Sequence, residues 1–196
     1  MSPIPPLKIY PGPGRRFLKA PLWLWLVLVG VGLLFTLLPQ LDLAVSSLFY
    51  TPGVGFRARG TWFERLIFLS TYWLLVLGVP ALMVLWLARR RGWLPGLGMG
   101  GRDLAFLLLV LALGPGLLVN GILKEHWGRA RPVDCQIFGG DLTFTPAFIP
   151  SDQEGGSFSS GHASGSSYWV VVALVLAPRS RFWLGMALGY SLLVAW

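Results

Sequence analysis

Two clusters hold most of the residues suited to anion or acid–base chemistry in this chain. The first is Lys124-Glu-His-Trp-Gly-Arg-Ala-Arg131-Pro132 and the second is Ser157-Phe-Ser-Ser160-Gly161-His162. Lys neutralises phosphoryl oxygens as a point charge, Arg grips them with a planar fork, and a histidine protonates a leaving oxygen near neutral pH. Together they read as a phosphate grip beside a proton donor. The other histidine, His126, lies inside the first cluster, so no histidine follows His162 to act as a nucleophile.

Positioning these groups makes demands on the backbone. Lys124 and Arg131 are seven residues apart, two turns and roughly 10 Å along a continuous helix. Gly128 and Pro132 favour a helix that loosens or ends between them, which brings Arg131 closer. Lys124 alone is equally explained as a side chain snorkelling from a span end, and Arg129 as a solvated loop charge outside the grip. The second cluster precedes an apolar run, which puts Ser160 and Gly161 at a helix N-terminus, where free N–H groups and the dipole favour an anion. Ser160 either caps that helix or donates to a phosphate oxygen. Gly161 permits close approach of a ligand.

The elements that carry these clusters are membrane spans. The chain has 196 residues, 55% hydrophobic and 12% charged, with a mean hydropathy of +0.66; that is too apolar for an ordinary soluble domain. Apolar runs near Pro21 to Pro39, Glu64 to Ala88, Leu104 to Leu123 and Ala163 to Ala177 suit spans, and a fifth starts at Phe182. The expected fold is an all-α polytopic membrane helix bundle, a single domain over residues 21–196 after a Pro-rich segment, 1–20, read as cytoplasmic. The first run reads as a retained anchor, since it is long for a signal peptide and no small-residue cleavage pattern follows. Gly114-Pro115-Gly116 should bend or loosen the third span, and Asn120 within it should face other helices or the site.

The formal net charge is +8, but its distribution marks orientation rather than nucleic-acid binding. Lys8, Arg15, Arg16 and Lys19 precede the first span, Arg89, Arg90, Arg91 and Arg102 lie between the second and third, and Arg179 and Arg181 follow the fourth. These segments are cytoplasmic by the positive-inside bias, so both clusters face the other side. Gly96-Leu-Gly98-Met-Gly100-Gly101 reads as a flexible cytoplasmic turn, since no strand precedes it as a nucleotide loop requires. The single cysteine, Cys135, reads as inert and partly buried.

Both clusters on one face, at this spacing, resemble the type 2 phosphatidic acid phosphatase family. Its first motif, K-x6-R-P, is matched by Lys124, Arg131 and Pro132; its second, P-S-G-H, by Ser160, Gly161 and His162, with Ser159 in place of the family's proline. The resemblance implies hydrolysis of a lipid phosphate or diphosphate without a cofactor or metal, through a phosphohistidine. It implies that Lys124, Arg131, Ser160 and Gly161 hold the phosphoryl group and that His162 protonates the leaving group. Candidate substrates are phosphatidic acid, phosphatidylglycerol phosphate, an isoprenoid diphosphate and a lipid A phosphate. The expected setting is a bacterial inner membrane, with the site on the periplasmic face and Trp127, Phe138, Phe144, Phe148 and Phe158 at its entry or anchoring the interface.

The family's third motif, S-R-x5-H-x3-D, supplies the nucleophile and is absent, because Ala187 and Ser191 follow Ser180-Arg181 where His and Asp belong. A helix from Phe182 to Trp196 rises about 22 Å, short of the roughly 30 Å hydrocarbon core. The expectation is therefore a six-span parent protein of which this chain is an N-terminal part. The competing reading is an inactive membrane protein that binds a phosphorylated lipid or serves structurally.

Overall fold

The computed structural model describes residues 16, 17, 20–96 and 98–195. The segment 1–20 expected in the cytoplasm lies outside them, apart from residues 16, 17 and 20. Six helices carry the described chain: α1 (Leu22–Leu37), α2 (Pro39–Ser47), α3 (Trp62–Arg90), α4 (Gly101–His126), α5 (Gly161–Leu176) and α6 (Arg181–Ala195). The strands described are two short antiparallel pairs, one joining Tyr50–Thr51 to Gly55–Phe56. This is the all-α membrane bundle expected.

The first apolar run does not form one straight span, and a proline explains why. By themselves α3 and α4 are long and apolar enough to cross a membrane. The first run breaks at Pro39, which opens α2 and turns the chain by 80°; proline disfavours helix in the residue before it. The first run therefore qualifies as a span only if the bent pair is counted together. Helices α5 and α6 are apolar but only 16 and 15 residues long, about 24 and 22 Å of rise. Pro178, just beyond the α5 end, cannot continue that helix.

Packing between helices depends on small residues and hydroxyls, as expected where lipid removes the hydrophobic drive for association. A methyl group on Gly78 of α3 would lie 2.1 Å from the Trp169 indole of α5. Tyr190 Oη bonds Ser70 and Thr71 hydroxyls at 2.8 and 3.0 Å, and Ser167 meets Ser191 at 2.8 Å, fastening α6 to α3 and α5. Leu82, Met99, Leu104, Leu107, Tyr168 and Val172 form the buried core between α3, α4 and α5. Met99 is fully buried, and Arg89 donates to its carbonyl at 2.6 Å. The glycine-rich turn, read from sequence as loose, is thus anchored on both its neighbours.

In α4 the Gly114-Pro115-Gly116 stretch produces a π-helix over Ala112–Leu123 rather than a kink. Pro115 has no N–H to give, and the Asn120 side-chain amide donates to the Pro115 carbonyl at 2.6 Å. The same amide packs on α5: a methyl group on Gly161 would sit 2.6 Å from Asn120 Oδ1. Asn120 therefore faces a neighbouring helix, as its polarity required. π-Helical turns are rare and occur frequently at functional sites.

Candidate active site

Lys124 leaves the end of this loosened stretch, and α4 stops two residues later. Gly128 then reverses the chain with φ +66°, where a side chain would also strike the Ser151 carbonyl oxygen at 1.8 Å. Arg131 follows in extended backbone with Pro132 opening a short 3-10 turn. The helix thus ends between the two cations, and the 10 Å separation of a continuous helix does not arise. A methyl group on Gly156 would lie 3.5 Å from Arg131 Nη2 and 3.8 Å from Lys124 Cε. Both cations converge on one patch of backbone.

The loop that returns to Gly156 is fastened tightly. Ser151 N–H donates to Trp127 O at 2.9 Å, Ser151 Oγ to Gly128 O at 2.8 Å, and Ser157 N–H to Arg129 O at 3.0 Å. Arg129 is not the solvated charge expected. It is 9% exposed, ion-paired with Asp42 from α2, and donates to Thr145 O at 3.0 Å and Ser157 Oγ at 3.2 Å. Beneath it, Tyr50, Phe56 and Phe138 stack edge-on or tilted with centroids 5.1–5.4 Å apart. Cys135 is buried with Ala130 and Phe138 in the same cluster. Burial pushes its thiol pKa up against the lowering pull of Arg129, and Asp134 and Asp42 push it up further. An inert thiol is the consequence.

At the α5 start, Ser160 Oγ accepts from Ala163 N–H at 3.2 Å, so its hydroxyl caps the helix in this state. The missing side chain of Gly161 makes room for Asn120. His162 lies half-buried with its ring 4.0 Å from that of Phe68 on α3. Lys124, Arg131, Ser160, Gly161 and His162 all line one cavity of about 720 Å³, together with Phe56, Arg59, Glu64 and Phe68. An apolar groove of about 600 Å³ adjoins it, sharing Glu64, Phe68, Ser160 and His162 and running past Phe49, Phe63 and Ile67 to Leu193.

Of the two roles expected for the loop aromatics, lining the entry does not hold. Trp127, Phe138, Phe144, Phe148 and Phe158 line neither the cavity nor the groove; they pack the outer loop, Phe158 lying 4.9 Å from Trp127 and 5.2 Å from Phe148. The aromatic wall comes instead from Phe56 and Phe68. Arg59 and Glu64, on the loop before α3 and at its start, carry no catalytic motif in the sequence. Their one signal is Thr61-x-x-Glu64, a helix-start pattern that places Glu64 in the first outward turn of α3.

Comparison with known proteins gives this geometry a context. A model of the PAP2 superfamily matches residues 103–196. The chain is similar to the lipid A 4'-phosphatase of Francisella tularensis subsp. novicida (strain U112), 31% identical over 160 residues, 75% of this chain and 67% of the relative. It is likewise similar to the lipid A 4'-phosphatase of Rhizobium leguminosarum, 31% identical over 173 residues, 81% of this chain and 72% of that protein. A lipid A 4'-phosphatase of Rhizobium etli is 47% identical over 81 residues, 40% of this chain and 31% of its own length. No solved structure matches the chain. With the motifs of the type 2 phosphatidic acid phosphatase family gathered on one cavity and relatives matched over two thirds of their length, the chain belongs to the PAP2 superfamily.

Proposed function

We propose that the protein is a lipid phosphatase whose site is the cavity between Lys124, Arg131 and the α5 N-terminus. The observation that carries this reading is the convergence of both motifs on one space, with an apolar groove leading away from it. Three cations and one carboxylate line the cavity, leaving it two charges positive when His162 is neutral. That suits a phosphomonoester dianion. Arg131 and Lys124 hold its oxygens, the α5 N–H groups add partial positive charge, and Ser160 exchanges its capping bond for a bond to phosphate. As a nucleophile bonds to phosphorus and the P–O ester bond breaks, His162 in its protonated form gives a proton to the departing alkoxide and is left neutral. The groove takes an apolar chain while the phosphate stays at the polar mouth.

The names of the relatives support a lipid A phosphate as substrate, and the basic segments between spans support an outer-facing, periplasmic site in an inner membrane. Residues 1–196 supply the grip and the acid; neither of their histidines stands where the family's third motif places the nucleophile. His126 bonds to the Ile122 carbonyl and does not line the cavity.

The test has two arms. In detergent, residues 1–196 should bind inorganic phosphate and a phosphorylated lipid, and Lys124→Ala or Arg131→Ala should weaken both by about tenfold or more, the loss of a charged hydrogen bond. In membranes carrying the protein, phosphate release from lipid A should fall by about 10²-fold or more in His162→Ala and persist in EDTA. Wild-type binding in both cation variants would overturn the grip.

A further inference from the structure

Glu64 is out of place in a phosphate site. A phosphomonoester dianion offers only acceptor oxygens, and a carboxylate facing it repels it. Yet Glu64 lines both the cation-lined cavity and the apolar groove. It stands at their junction, where an amphiphile bound by its phosphate and its chain would put the group that connects them.

Its bonding leaves it free to read that group. Glu64 Oε2 accepts from the Gly60 N–H, and Thr61 Oγ1 accepts from the Glu64 N–H at 3.2 Å while donating to Ala58 O at 2.7 Å. These bonds fix the backbone and one carboxylate oxygen. Among the described residues, the ion pair is Arg129 with Asp42, and neither Glu64 nor Arg59 joins it. Among the described residues no bond engages Glu64 Oε1, which leaves a second acceptor on a residue that lines the cavity, and Arg59, lining the same cavity, offsets its charge.

We infer that Glu64 is a specificity-determining residue: its free oxygen accepts a hydrogen bond from a hydroxyl on the phosphate's carrier, so the site prefers lipids phosphorylated on a sugar or other polyol over phosphatidic acid. Arg59 keeps the cavity attractive to the dianion despite the carboxylate. This rests on the phosphatase reading above and adds the chemistry of the carrier to it. The hydroxyl could belong to a sugar or to a glycerol, and the probes separate these.

The experiment measures dissociation constants of three lipids of matched chain length for the 196-residue protein in detergent: a phosphorylated diacylglucosamine, phosphatidylglycerol phosphate and phosphatidic acid. The wild type should bind the sugar phosphate, the glycerol phosphate or both about tenfold more tightly than phosphatidic acid, the worth of one hydrogen bond to a charged acceptor. Glu64→Gln keeps an acceptor for Gly60 and should erase that preference, with phosphatidic acid bound at least as tightly as by the wild type because a repelling carboxylate is gone. Arg59→Gln should weaken all three alike. Equal binding of the three lipids by the wild type, or an equal loss across all three in Glu64→Gln, overturns the inference and leaves the phosphate grip standing. Failure of all three, and of inorganic phosphate, would overturn both.

Discussion

The loop cap and the membrane bundle are held together by different physics. The cap, from Tyr50 to Phe56 and from Trp127 to Ser160, is fastened by a buried ion pair, carbonyl-directed hydrogen bonds and an aromatic cluster, much as a small soluble domain is. The bundle buries few large side chains and relies on close backbone approach at Gly78 and on hydroxyl pairs at Tyr190 and Ser167. The groups proposed to hold and protonate the substrate sit on the seam: Lys124 near the end of α4, Arg131 in the cap, His162 at the start of α5. Geometry at the site therefore depends on two sources of rigidity, which can be weakened separately.

The largest effect is expected in the cap. Asp42→Ala strands the buried Arg129 guanidinium and should lower stability by about 3 kcal/mol, the low end for a broken buried pair because the Asp42 side chain is 21% exposed. A melting curve in detergent reads it, and an unchanged midpoint would reduce the cap to a passive cover. In the bundle, Gly78→Ala should cost about 1–3 kcal/mol by forcing Trp169 aside. Combining it with Trp169→Ala should recover most of that loss, and a purely additive pair would show that α3 and α5 do not meet there. Ser159 gives the smallest and opposite effect. Among the described residues its buried hydroxyl has no hydrogen-bond partner, so Ser159→Ala should raise stability by about 1 kcal/mol with lipid binding unchanged.

The same contrast explains what was legible beforehand. Lys124, Arg131, Ser160, Gly161 and His162 announced themselves because anion chemistry restricts residue type and spacing, and the helical bundle because lipid restricts composition. Arg129 did not, since a loop arginine reads the same whether solvated or paired, and its partner Asp42 is 87 residues away in sequence. Arg59 and Glu64 were hidden for a similar reason: only the folded chain lays the loop before α3 against the cavity. The break at Pro39 was present as a residue but not as an angle. Likewise Gly114-Pro115-Gly116 signalled a weakened helix without saying whether it would bend or widen.

That widening has a directional consequence. A helix bonded from each residue to the fifth along turns less per residue than one bonded to the fourth, so the 12 residues from Ala112 to Leu123 shift the phase at which the chain emerges. The compass bearing of Lys124 about the α4 axis is thus written inside the membrane, well before the lysine itself. A sequence that restored an ordinary α-helix there would retain every residue of the grip and point its lysine elsewhere.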